Sequence, residues 1–408
     1  MQMTSSNLNH RITRSLFIIG FFAIFSTTIA KNPVLPLFAS SLGSGDALIG
    51  LIAAISPFAG IVFSFPVGVL SDHIGRKRLL VTSGIVFLCA PLLYLTVTTP
   101  LALIPIRFFH GLATAILGPV IAAVIAERFP HNTGEVLGQY ASATLVGRTL
   151  APLTAGIILS ILAASSGLLK YQAVYLVAFA AALPVCVLAF LYREDPPPAI
   201  SLPGLQPFRE SFLSFFRDNR LRSTALVDMA MYFLFGMFET FLPLLLVIRG
   251  IDPLRIGILF AVQVIVIAVA KPSFGRLADR SDKRPAIVGG LMLMGISGAF
   301  VPFITTFPLF MLVGISAGIG MALSTVATSA FVAGVSPPGK LGASMGALSS
   351  VMDIGHSAGP LVAGIIITTL GYPAGFLTGF ALSILVSGIF LVSVRYTGPL
   401  PGETGQGR

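Results

Sequence analysis

The feature that most constrains this chain is a succession of apolar runs, each about 18 to 25 residues long, with short charged or turn-rich clusters between them. Roughly 20 apolar residues in a helix cross about 30 Å of hydrocarbon. A helix also satisfies its own backbone hydrogen bonds, which lipid cannot do for it. The runs fall at 15–39, 47–70, 79–97, 101–126, 136–162, 171–192, 223–247, 255–278, 286–304, 307–333, 341–369 and 374–395. The expectation is an all-α integral membrane protein with twelve transmembrane helices. Only 10% of the 408 residues are charged and 55% are hydrophobic, against about 25% charged in a soluble domain. The first apolar run is too long for the core of a signal peptide and reads as a retained first span.

Charge placement sets the expected orientation. With the N-terminus inside, eighteen of the 25 Lys and Arg residues fall on the cytoplasmic side, three outside and four within spans. That asymmetry places both termini in the cytoplasm and the chain in the plasma (inner) membrane. The net charge of +10 is therefore mostly an insertion signal. No basic stripe or aromatic RNA-binding motif accompanies it, so nucleic acid is not an expected partner. Cys89 and Cys186 sit singly in apolar runs and suggest neither a disulfide framework nor a metal site. No cofactor is implied.

The sequence repeats once. LPLFASSLG at 35–43 aligns with LPLLLVIRG at 242–250, and GVLSDHIGRKR at 68–78 with GRLADRSDKRP at 275–285. GRTLAPLTAG at 147–156 aligns with GHSAGPLVAG at 355–364, at an offset of 208. The chain is thus expected to hold two parallel six-helix bundles, residues 1–192 and 223–408, joined by a cytoplasmic linker at 193–222. The Pro-rich start of the linker reads as a connector. Its segment 208–220, FRESFLSFFRDNR, is either more connector or a stretch lying on the inner membrane surface.

Two six-helix repeats carrying these loops resemble the major facilitator superfamily, and the resemblance covers nearly the whole chain. The loop G-V-L-S-D-H-I-G-R-K-R resembles the family's signature between spans 2 and 3. It implies a conformational latch built from Gly68, Asp72, Gly75 and Arg76, with Glu127 at the inner end of span 4 as the partner of Arg76. Gly275 and Asp279 repeat the pattern more weakly, without a matching acid on span 10. In span 5, Gly138, Gly147, Ala151, Pro152 and Gly156 resemble the helix motif of the exporter and antiporter branches, with Ala at 151 and 155 where the motif prefers Gly. Arg107 and Gly111 resemble the family's span-4 pattern with a buried Arg. The family default is a monomer.

Seven charged residues fall within spans: Lys31, Arg107, Arg148, Asp228, Glu239, Lys271 and Asp353. Each costs roughly 2.5–3.5 kcal/mol at mid-membrane on insertion scales, so each is expected to meet a partner or a wet cavity. Lys31 and Glu239 fall at nearly matching places in spans 1 and 7, which line the central cavity in the resembled fold. They are expected to face each other there, either exchanging partners with substrate and proton or forming a static ion pair. Glu239 is the first choice for proton coupling. Asp353 can titrate, or pair with a basic group such as Arg148. Arg107 can hold an anionic substrate, or bond backbone carbonyls at a kink. Asp228 and Lys271 are expected near the membrane interface; His110 and His356 can relay protons, but a lone His is more often a packing residue.

No nucleotide-binding loop, metalloprotease signature or nucleophile elbow is present in a plausible context. The chain is not expected to be an enzyme. The resemblance implies a proton-coupled exporter of small amphipathic or hydrophobic compounds working by alternating access. The alternative is an importer or symporter of a polar or anionic metabolite.

Overall fold

The computed structural model describes residues 5–192, 215–337 and 341–395. Most of the linker expected at 193–222 lies outside the described residues, as does most of 208–220. Among the described residues the chain is helical, with no strand. Helices α1 (Ser5–Ile29), α2 (Val34–Ser41), α3 (Asp46–Ile74), α4 (Arg76–Tyr94), α5 (Leu103–Arg128), α6 (Thr133–Ile161) and α7 (Leu169–Leu191) precede the linker. Helices α8 (Asn219–Ile248), α9 (Pro253–Arg280), α10 (Lys283–Phe300), α11 (Phe307–Val335) and α12 (Leu341–Arg395) follow it.

Eleven helical stretches among the described residues are long and apolar enough to cross a membrane. The last of them, Ser344–Val394, covers 51 residues and is broken at Gly371 (φ 83°, ψ 171°). Such a φ suits a residue without a Cβ. The break divides α12 into two crossings, which gives the twelve expected from hydropathy. The first span departs from expectation. It was read as continuous over 15–39, but the helix is interrupted between α1 and α2, where residues 30–33 form turns. Pro33 lies at the break and has no backbone N–H to donate to the ladder of α1. Both pieces remain within one apolar stretch, Ile12–Ser41.

The chain divides into two compact units. The first holds α1–α7 with residues 246–264, and the second holds the rest of the chain from 215 onward. In the first, α1 packs on α6 and α7, α3 on α5, and α4 on α5 and α7. In the second, α10 packs on α11 and α12.

Lipid is as apolar as leucine, so burial of apolar surface does not drive these contacts as it does in water. Close backbone approach does. A Cβ at Gly147 would collide with the Phe21 carbonyl, and one at Gly355 with the Met229 carbonyl. Both partners are displaced by the same 208 residues, so the sequence repeat is a repeat of packing as well. Gly43 (φ 86°) and Gly250 (φ 75°), aligned in the sequence, turn the chain at the ends of α2 and α8. Hydroxyls add polar links: Ser26 donates to the Ala178 carbonyl and Ser83 to the Ala113 carbonyl, both at 2.8 Å. Facing away from each unit are large apolar side chains such as Ile161 (75% exposed), Val269 (70%) and Leu370 (72%), which suit a lipid environment.

Candidate functional site

The second unit carries the arrangement with most chemical capacity. Glu239 is on α8 and His356 on α12, and Glu239 Oε2 lies 3.3 Å from His356 Nε2. Their side chains are only 12% and 20% exposed. Gly236, three residues before Glu239, makes the approach possible. A Cβ there would come within 3.0 Å of His356 Cδ2 and of the His356 carbonyl. The imidazole is flanked by Phe235 at 5.9 Å and Tyr232 at 6.2 Å between ring centroids. A carboxylate and an imidazole in one hydrogen bond form a pair that can gain or lose a proton as a unit.

Of the two readings open for His356, proton relay or packing, its bond to Glu239 favours the first. The signal was present in the sequence. The offset of 208 that places Gly355 over Gly147 also places His356 over Arg148, and Glu239 lies within one residue of the position matching Lys31. Asp228 is a correction. It is nine residues inside α8 and 4% exposed, and the Thr328 hydroxyl donates to its Oδ1 at 3.1 Å. Counting residues from a span edge suggested an interface; burial between helices was invisible to that count. Asp353 is half-buried on α12.

In the first unit, Arg107 is the largest fully buried side chain, at 2% exposure. It reaches the hydroxyl of Tyr94. Tyr94 stacks on Tyr175 at 4.2 Å, with an interplanar angle of 1°, and its hydroxyl lies 3.4 Å from His110 Nδ1. Phenol, imidazole and guanidinium thus form one polar cluster inside the unit. Gly111 allows it by bringing α5 against α3, since a Cβ there would come 2.7 Å from the Ser56 carbonyl. Lys31 lies half-buried at the break between α1 and α2, where its N–H donates to the Thr28 carbonyl at 3.1 Å. Arg148 is exposed on α6.

The expected latch residues fall at the junction of α3 and α4. Gly75 turns the chain there at φ 90°, and the Arg76 guanidinium donates to Glu127 Oε1 at the end of α5. Arg76 is buried and the Glu127 side chain is 49% exposed. Gly68 and Asp72 belong to α3, and Gly275 and Asp279 to α9; the side chains of Asp72 and Asp279 lie outside the described residues.

The span-5 motif does two jobs on α6. Gly147 meets α1, and Gly156 and Pro152 meet the start of α9, where a Cβ at Gly257 would collide with the Pro152 carbonyl. Ser160 reinforces that contact, accepting from the Leu254 N–H at 3.0 Å. Ala151 is fully buried. Gly138 meets nothing and is not a packing position.

The profile of the Major Facilitator Superfamily matches residues 16–253 and 224–407. The staphyloferrin B transporter of Staphylococcus aureus is 24% identical over 413 residues, covering 97% of each chain. The multidrug resistance protein MdtG of Escherichia coli is 32% identical over 183 residues, covering 39% of this chain and 44% of its own. The crystal structure of a bacterial homologue of the human lysosomal transporter Spinster superposes with a TM-score of 0.74, at 16% identity and over 95% of both chains; it shows the fold. Helical fold, internal repeat, signature loop and profile agree: this multi-pass membrane protein is a transporter and belongs to the major facilitator superfamily.

Proposed function

We propose that the protein is a proton-coupled exporter of small amphipathic or hydrophobic compounds in the plasma membrane, with both termini cytoplasmic and acting as a monomer. The observation that carries this reading is the Glu239–His356 pair, an acid and a base in one hydrogen bond inside an apolar helical unit. The work is divided between the two bundles on either side of residues 193–222. A proton taken up outside binds the pair and neutralises Glu239, which favours release of cargo. After the transporter reopens inward, cargo binding favours loss of that proton to the cytoplasm. Each ligand shifts the populations only as far as it distinguishes the two states. The latch at Arg76 and Glu127 restrains one of those states.

The outward direction is supported by the span-5 spacing and by the partial likeness to a multidrug resistance protein. A second reading, carriage of a polar or anionic metabolite, draws on the cationic Lys31, Arg107 and Arg148 of the first half and on the end-to-end likeness to the staphyloferrin B transporter. Flux in everted vesicles with an acid interior separates them. Export coupled to protons predicts that lipophilic dyes accumulate inside and collapse the pH gradient. If dyes do not move and one polar metabolite does, the second reading replaces the first.

A further inference from the structure

The first unit buries a cation without an acid to match it. Arg107 is 2% exposed, and a guanidinium keeps its proton wherever a protein puts it. Its interactions are with Tyr94, His110 and Tyr175, and among the described residues no carboxylate pairs with it. An uncompensated charge in so dry a place is costly, and an anion beside it removes that cost.

The hydrogen-bond inventory points the same way. Arg107 donates to the Tyr94 hydroxyl oxygen. The Tyr94 proton then has His110 Nδ1, 3.4 Å away, as its acceptor, which puts the ring proton of His110 on Nε2. Three buried polar atoms of this cluster have no partner among the described residues: Arg107 Nε, His110 Nε2 and Tyr175 Oη. All three carry a hydrogen, and all three belong to side chains that touch Tyr94. Donors in excess call for an acceptor that brings no hydrogens of its own. A water brings two and leaves the guanidinium charge unmatched. An anion brings none and matches it.

The cluster lies near one end of the unit. Tyr94 ends α4, Arg107 and His110 are four and seven residues in from the start of α5, and Tyr175 is six in from the start of α7. At 1.5 Å per residue these positions fall within about 11 Å of the same end. The connection of residues 95–102 leaves the helices there, and Gln172 of α7 donates to its Leu95 carbonyl at 3.4 Å. A connection of this kind opens locally at lower cost than packed helices part, which gives an ion a route.

The fold itself does not require a charge at this place. At either offset of the repeat, 207 or 208, Arg107 corresponds to Gly314 or Ile315, and His110 to Ala317 or Gly318. The second copy packs the same part of the bundle with uncharged residues alone.

We propose that this cluster binds one monovalent anion of halide size, with Arg107, His110 and Tyr175 as its donors. Tyr94 aligns the three. With Tyr94 and Tyr175 fully buried, the ion sheds its water and takes the three donors instead, so a bulky anion is excluded. The ion is held rather than carried, so its test is separate from that of the cargo.

The test is equilibrium binding of radiolabelled chloride to the purified full-length protein, with thermal unfolding alongside, after exchange into sodium gluconate. Binding is expected to saturate at one chloride per chain. Chloride and bromide are expected to raise the melting temperature, as a ligand of the folded state does, while gluconate and sulfate at equal ionic strength do not. Arg107→Gln removes both the binding and the halide response. Tyr175→Phe, which keeps the charge and the stacked ring, weakens chloride at least about fivefold; if Arg107→Gln does not fold, this variant decides alone. The proposal is overturned if no chloride binds, if gluconate stabilises as chloride does, or if the folded variants bind chloride as the wild type does, which would mark an adventitious ion only.

Discussion

Glu239 and Lys31 occupy nearly the same place in the two halves with opposite charge, and His356 and Arg148 occupy the same place with different basicity. In the second unit the two positions hydrogen-bond. In the first they carry two cations, which cannot bond each other. Hydropathy does not distinguish these cases, because it scores each charge alone; the repeat offset does, because it pairs positions. His356→Ala is expected to leave Glu239 without its imidazole and to reduce pH-driven flux at least tenfold, while cargo exchange without a gradient continues. A flux-against-pH profile checks this, since a merely structural histidine would lower both rates together. The glycines make a sharper stability test. Gly355→Ala forces a Cβ into the Met229 carbonyl, whereas Gly346→Ala meets open space. Overpacking of that kind costs about 1–3 kcal/mol, so thermal unfolding in detergent should fall clearly for the first and hardly at all for the second.

At the scale of elements, the spans were legible because the membrane fixes their length. The interruption at residues 30–33 was not. Prolines are common within membrane helices and are tolerated with or without a break, so Pro33 and Pro36 in an apolar run do not say which will follow. The second half shows the other outcome: α8 runs through Pro243 uninterrupted. The motif on α6 was legible as spacing, but not as contact. Its glycines at 147 and 156 pack, while the one at 138 does not. The latch belongs here too. Glu127 is half exposed, so its pair with Arg76 contributes at most about 1 kcal/mol to stability; the role proposed for it is in the transport cycle. Arg76→Glu should slow transport severely with little loss of melting temperature. Adding Glu127→Arg should restore much of the rate, as measured by dye flux. A double variant no faster than the single would show that the pair does not act as a latch.

At the scale of the whole molecule, the repeated sequence pattern carries different electrostatics in its two copies. The first unit buries a cation among aromatic hydroxyls around Arg107. The second holds the carboxylates at 228, 239 and 353, one of them bonded to a base. Under the proposed coupling, such an asymmetry gives the proton one of the two units to work on. A pH difference of one unit supplies about 1.4 kcal/mol per proton, enough for at most tenfold accumulation of cargo per proton exchanged. The most direct test is dye flux in reconstituted vesicles under an imposed pH gradient, comparing the wild type with Glu239→Gln. Proton coupling through the Glu239–His356 pair predicts that wild-type flux follows the gradient, while Glu239→Gln exchanges dye at a rate indifferent to it. Flux that still follows the gradient in the Glu239→Gln protein would contradict that account.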